Sequence, residues 1–545
     1  SDLNQQIVMG SGSGQTPNDL LDQRDQLVKD LNTLVKATTF EQSDGSINVF
    51  IGTGQNLVVG GETFSLGAVG SPDDPQSTTV VYQQNGNTIY LPENALGGGE
   101  LGALLDFRTN SLNLAQNNLA MVAVGMAQML NAQQRAGMDL NGKLGQNLFD
   151  FSRASSFTAT LGGVDISVSS PESAIPASDY SLAYDGAGNY TLTRLSDKAT
   201  QSFTTAQMTA GYTALGVTLQ AAATPAAAAS TDWSFPPDIG YVTPNSMNTG
   251  SAALSGYISY IADLQPSDYE LGFDGSQYIL TRLSDNSKTA SATMPLTVGG
   301  LTLNLTGSMA SGDSFTIKPY EGFIDSLSVR ITDARDIAAA SAMKLTSGSA
   351  NTGSASLTQP LADTPSTSTT DAAVNPALRN PVNIAFTAAD SFTVTDSVTG
   401  AVTTHGYTAG MTLSVNGWSL KITGQPAAGD TFAIGANTAG TADGSNALKL
   451  AALQTTKLLS NGTASFEQSY SQMVAQIGVQ TGEANIMAEA QGTMLSQAET
   501  ARDSVSGVNL DEEAASLLRY QQAYVAASKL IQIAQQAFEE IANIV

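Results

Sequence analysis

Covalent catalysis needs nucleophiles, bases or metal ligands at workable spacings, and this chain of 545 residues offers few of them. It has no cysteine, which excludes disulfides, thiolate nucleophiles and cysteine–metal sites. His405 is the one histidine. A Ser–His–Asp triad could draw on it, since serines and aspartates are plentiful, but no G-x-S-x-G elbow in a strand-then-helix context accompanies it. It sits in TTHGY, the pattern of a strand end before a turn, and an ordinary strand residue outweighs a catalytic one there. One histidine cannot build an H-E-x-x-H zinc helix. Asp73-Asp74 reads as a pair of solvated loop charges, since a glycosidase needs two acids at a defined separation in a cleft. Gly52–Gly54 and Gly97–Gly99 lack the Lys-Ser/Thr or Rossmann spacing that phosphate binding requires, so turns explain them. EF-hand calcium loops are absent. The residues therefore point to no catalytic site, no metal and no cofactor.

What they do support is the chemistry of packing. Near the C-terminus Leu510, Leu517, Tyr524, Ile531, Phe538 and Val545 recur every seven residues. Tyr520, Ala527, Ala534 and Ile541 fall three residues after members of that series. This is a heptad seam, the pattern of a coiled-coil interface. Asn509 is placed to cap the helix, with Glu512 where a capping-box acid belongs. Asp511, Glu512 and Glu513 put negative charge where the helix dipole favours it. Most apolar stripes simply face their own core. Here the stripe lasts about five heptads, against roughly 11–12 residues for an average helix, and Ala527 and Ala534 suit close helix approach. The ten named residues are the candidate assembly interface.

Two textures alternate along the chain. Residues 18–35 are helical, with Leu20, Leu27 and Leu34 one heptad apart and Leu31 on the same face. Residues 40–51 read as a β-hairpin around Asp44-Gly45. Residues 101–133 read as a long helix with Leu105, Leu112, Leu119 and Met126 on one line. From about 155 to 435 the pattern becomes short strands, Gly-rich turns and many Ser and Thr. Helical texture returns at Asn446, softens at Ser460-Asn461-Gly462, and runs to about Ser504 before a break at Ser506-Gly507.

The β centre repeats itself. DYSLAYDGAGNYTLTRLSD (179–197) and DYELGFDGSQYILTRLSD (268–285) share LTRLSD and the placement of Tyr and Asp-Gly. GLTLNLTGSMASGDSFTIKP (300–319) resembles GWSLKITGQPAAGDTFAI (417–434), and GVTLQAAATPAAAASTDWSF (216–235) is a weaker version. Three related β units are expected near 155–240, 250–320 and 380–436, too few and too irregular for a solenoid. The Ser/Thr/Ala/Gly-rich residues 346–371 read as a flexible loop.

The string SGVNLDEEAASLLRYQQAYVAASKLIQIAQQAFEEI resembles the C-terminal signature of bacterial flagellar rod, hook and hook-associated proteins. Residues 17–35 (PNDLLDQRDQLVKDLNTLV), 41–61 (EQSDGSINVFIGTGQNLVVGG) and 98–145 resemble the hook-associated protein 1 family, the first hook–filament junction proteins. VRITDARDIAAAS (329–341) is similar to a strand-then-turn segment of that family leading out of the β domain. The resemblance implies a tube in which N- and C-terminal helices pair. It implies as partners other copies of the chain, hook protein, the second junction protein and a type III export chaperone. It also implies export through the flagellar type III apparatus to an extracellular flagellum. The family carries a helical segment ahead of SDLNQQI, so the chain is expected to be N-terminally truncated.

Composition agrees. Twenty-two basic against 48 acidic residues give a net charge of −26, which disfavours nucleic acid and anionic membranes as partners. No apolar run approaches the ~18 residues of a membrane span. The expected fold is α+β and multidomain: a long-helix, coiled-coil-like bundle built from both ends of the chain, with inserted antiparallel β domains. Residues 1–150 and 440–507 would form a discontinuous helical shaft carrying a hairpin. Residues 151–320 would hold two related β units, 321–439 a further unit with its loop, and 508–545 the assembly helix. Long-range pairing of the ends costs little, because loop closure grows slowly with length. Another flagellar axial protein (hook protein, second junction protein or a flagellin-like chain) is the near alternative, and a secreted β-rich adhesin on a helical stalk the distant one.

Overall fold

The computed structural model describes residues 1–11, 17–71, 77–84, 87–170, 178–507 and 510–542. Asp73-Asp74, Asn509 and Val545 lie outside these residues. The described residues are a mixture of helix and antiparallel sheet, 30% helical and 34% strand. It divides into two compact units, Ser1–Val474 and Ala475–Val545.

The first unit opens with α1 (Asp2–Ser11) and α2 (Asn18–Leu34). The hairpin follows, Ala37–Glu41 pairing antiparallel with Ile47–Ile51. Gly45 takes φ +84°, and the Asp44 carboxylate accepts the Ser46 amide at 2.9 Å, the local bond that makes Asp-Gly a turn. Two further strands extend this sheet, and a separate three-stranded sheet lies beyond it. The long helix forms as α3 (Gly99–Phe107), a π-helical segment Arg108–Leu112, and α4 (Asn113–Arg135). Two short helices, α5 (Thr205–Ala210) and α6 (Phe323–Ser326), punctuate the β region. The chain then passes through α7 (Ser445–Ala452) into α8 (Phe466–Ser506) and α9 (Leu510–Ala542).

The β centre is three sandwiches of one topology. In each, a three-stranded meander forms one sheet, a hairpin then joins the facing sheet, and a last strand returns beside the first strand of the meander. The meanders begin at Tyr180–Tyr184, Tyr269–Phe273 and Val382–Ala388. Their returning strands are Ala229–Trp233, Ser314–Lys318 and Thr431–Ala436. The cross-strand core pairs correspond: Leu182 with Leu192, Leu271 with Leu280, and Ile384 with Val394. The first and third sandwiches close apolar cores between their two sheets, and the second shares its core with helices packed on it. The shared LTRLSD string places an Arg–Asp pair at the same corner twice, Arg194–Asp197 at 2.6 Å and Arg282–Asp285 at 2.5 Å.

The loop expected at 346–371 is instead built into the third sandwich. Met343–Ser347 pairs with Thr431–Ala436, while Ser356–Leu357 and Leu361–Ala362 pair with Trp418–Thr423. Its Ser- and Gly-rich texture reflects a tight corner. The Asp430 carboxylate accepts the amides of Thr352, Gly353 and Ala427 at 2.8–3.2 Å. Asn351 bonds the backbone of Thr431 in both directions. The second sandwich repeats the corner with Asp313 on Thr249, Gly250 and Ala310, and Asn248 on Ser314. The signal was present as NTGSA at 248–252 and again at 351–355.

Of the single bundle expected of residues 3–35, 101–133 and 446–504, the stretch up to Val474 falls in one compact unit and the rest of 446–504 in the other. Leu105 packs with Val35, Tyr82, Leu91 and Leu96, beside the N-terminal sheets. Met121, Val124 and Ala127 of α4 share a core with the second sandwich and with Leu453, Leu459 and Phe466. Ile477 belongs to the other unit and is 41% exposed. α3 packs on α2, and α4 packs on α6, α7 and the second sandwich.

The end of α4 is polar yet buried. Asn131 bonds the backbone of Phe149 both ways, and Gln134 does the same with Asp336 and Ala338. Gln133 donates to Asn446 at 2.7 Å, and Arg135 to Asn147. Every one of these side chains thus stitches a distant segment to the helix, and each satisfies a polar group that burial would otherwise penalise.

Candidate assembly surface

In the second unit, α9 follows from composition. Ala, Leu, Gln, Lys and Glu favour helix, and Asp511, Glu512 and Glu513 occupy its first turn. Its seam is open to solvent. Leu510 is 78% exposed, Leu517 67%, Tyr520 77%, Tyr524 75%, Ile531 62% and Phe538 75%. Ala527 and Ala534 are exposed beside them. The side chain of Ile541 is outside the described set, as are Val545 and the cap expected from Asn509. The structure therefore brings eight of the ten expected seam residues onto one described helix, all unburied within their unit.

Four further large apolar residues of α9 fall outside the heptad pattern. Leu518, Val525, Leu530 and Ile533 are also half or more exposed. At about 100° per residue Leu518, Val525 and Ile533 point away from the seam and Leu530 flanks it, so a search for one seven-residue line passes over them. The part of α8 in this unit carries Ile486, Met487, Met494 and Leu495, likewise exposed. Arg502 holds Asp503 at 2.8 Å near its end. Large exposed apolar patches mark interaction surfaces, and no group of three or more His, Cys, Asp or Glu placed to hold a metal occurs among the described residues. His405, for comparison, is in the third sandwich, stacked on Phe392 and bonded to Thr403 at 2.9 Å.

Comparison with known proteins gives the family. Residues 1–149 match the helical domain of flagellar hook-associated protein FlgK, and residues 152–233 and 243–319 match the D2-like domain of flagellar hook-associated protein 1. The chain belongs to the flagellar hook-associated protein 1 family. Residues 501–544 match the C-terminal domain of flagellar basal body rod FlgEFG proteins, and so contain the described seam. Flagellar hook-associated protein 1 of Escherichia coli (strain K12) is 26% identical over 99% of this chain and 67% of its own length. The Salmonella typhimurium protein is 25% identical over 100% of the chain and 68% of its own. The solved structure of the flagellar hook junction protein FlgK from Burkholderia pseudomallei superposes with TM-score 0.66 at 28% identity. It covers 92% of this chain and 81% of that one. The chain is accordingly a structural component of the flagellum at the hook–filament junction, and its family is not one of enzymes.

Proposed function

We propose that Leu510, Leu517, Tyr520, Tyr524, Ala527, Ile531, Ala534, Phe538, Ile541 and Val545 form the assembly interface through which this subunit joins its neighbours. The carrying observation is exposure: six large apolar side chains of one seam stand 62–78% open. Burying one such side chain gains roughly 1.5–3 kcal/mol. A helix that leaves them all wet within its own unit expects another helix to cover them. Leu518, Val525 and Ile533, on the face away from the seam, suit a second contact, as helical assembly requires, since one chain must present different faces to successive subunits. The partners of this reading are other copies of the chain, hook protein on one side and the second junction protein on the other. A type III export chaperone would cover the same apolar helix before assembly. Residues 508–545 then act as the assembly helix of a coiled-coil-like shaft, with the sandwiches facing outward and the subunit delivered by type III export to the extracellular flagellum.

The test is complementation of a junction-protein null strain with Leu517→Ser, Tyr524→Ser, Ile531→Ser and Phe538→Ser combined. The gross burial removed is roughly 6–12 kcal/mol. The sandwiches should stay folded while motility is lost and filament monomers escape to the medium. Full motility from the quadruple variant would sink the reading.

A further inference from the structure

Where the end of α4 meets the first and third sandwiches there is a cavity of about 530 Å³. Its charge is opposite to that of the chain. Arg135, Lys143, Arg194, Lys198, Arg330 and Arg379 line it, while Asp179 and Asp197 are the carboxylates in its wall. Elsewhere acids outnumber bases by more than two to one, 48 against 22 over the whole chain.

Three of these cations are already balanced. Arg194 pairs with Asp197 at 2.6 Å, Arg330 with Asp150 at 3.1 Å and Arg135 with Asp179 at 3.3 Å. The other three have no carboxylate within ion-pair distance among the described residues. Lys198 reaches only the carbonyl of Pro376 at 3.3 Å, and Arg379 only that of Asn437 at 3.2 Å. The Nε atoms of Arg135 and Arg379 are buried with no hydrogen-bond partner. Arg135 is itself more than nine-tenths buried, its side chain 7% exposed. The surplus is felt locally: burial and then the Arg379 charge lower the pKa of Lys198.

We propose that this cavity binds a small multivalent oxyanion, a phosphate-bearing or polycarboxylate molecule. Guanidinium groups grip such oxyanions through paired N–H donors, and unfilled donors that are already buried demand a partner. The volume lies within the ordinary range for small-molecule sites. A bound anion would connect Lys198 on the first sandwich, Arg379 before the third and Arg135 on the helix, so it would pin two outer domains to the shaft. This site is independent of the assembly surface.

Isothermal titration calorimetry on the whole chain, with inorganic phosphate, pyrophosphate and citrate as probes in sodium chloride of matched ionic strength, tests it. One saturable site is expected, bound at least tenfold more weakly by Lys198→Gln/Arg379→Gln and within about threefold of the parent by the charge-keeping Lys198→Arg. The phosphate and citrate arms separate the two oxyanion classes. Absence of saturable heat from all three probes, or equal affinity in the double variant, overturns the proposal. If the double variant does not fold, the exposed turn variant Lys143→Gln decides: binding weakened threefold or more supports the site, and unchanged affinity rejects it.

Discussion

Asp179→Asn should destabilise the first sandwich far more than its size suggests. The Asp179 carboxylate lies 3.3 Å from Arg135, and the two side chains are 2% and 7% exposed. Neither of the facing atoms has a well-aligned hydrogen bond, so the contact is ionic. Arg153 adds a second guanidinium nearby. Burial, and then repulsion from Arg135, push its pKa down to about 10, with Asp179 and Asp150 partly opposing. Asp179 also accepts the Ala373 amide at 3.1 Å, tying the first sandwich to the segment ahead of the third. Neutralising it strands a buried charge, a change that costs about 3–5 kcal/mol. For a domain of 60–100 residues each kcal/mol is worth roughly 4–8 °C, so the first sandwich should melt at least ~12 °C lower. The chain has two tryptophans, Trp233 and Trp418, one in the core of the first sandwich and one in that of the third. Fluorotryptophan labelling therefore gives one fluorine resonance per domain during a thermal melt, which avoids treating a multidomain chain as two-state. The Arg135→Met/Asp179→Asn double variant should recover much of the loss, because no unpaired charge remains from the pair. A drop below ~4 °C in the single variant, or strictly additive losses in the double, would refute the reasoning.

Two other outcomes follow from the packing. A Cβ at Gly125 would stand 2.9 Å from a ring carbon of Phe466 and 3.2 Å from Ile261. Gly125→Ala should cost about 1–3 kcal/mol by overpacking, and Phe466→Leu in the same chain should return part of it, read by calorimetry. Backbone bonds from Ala427 to Asp430, and from Thr249 to Asp313, head the causes that hold these carboxyls below their ordinary 3.8. A depressed folded pKa contributes stability that is present above pH ~4 and fades as the pH falls toward the folded value. Asp430→Asn should therefore destabilise the third sandwich at neutral pH and flatten its acid dependence below pH ~4. The Trp418 resonance in an acid titration reads this, with Trp233 unaffected; an unchanged Trp418 profile contradicts it.

Local and periodic features were legible without coordinates. The Asp44-Gly45 hairpin could be read because a turn's bonds are made within four residues. The seam of α9 could be read because a seven-residue repeat states which face is apolar whatever covers it. The duplicated LTRLSD and G-D-[ST]-F strings revealed related β units because equal corners need equal residues. A residue whose role depends on a remote partner carries no such local mark. Residues 346–371 looked like a loop because Ser, Thr and Gly have no periodicity of their own, yet Asp430, some 77 positions later, orders them through Thr352 and Gly353. Leu105 and Ile477 both sit on apolar stripes, but the stripe does not name its partner. Val35 behind α2, Tyr82 on a central strand and Leu96 took Leu105. The buried meeting of Arg135 and Asp179, and the basic cavity around it, belong entirely to the tertiary structure. Their residues are scattered from 135 to 379 in an acidic chain, and only the docking of two sandwiches on one helix end concentrates their charge. Sequence sets the pattern of each element's surface; long-range packing chooses which surfaces meet, and so decides where unlike charges are buried and where like charges are forced together.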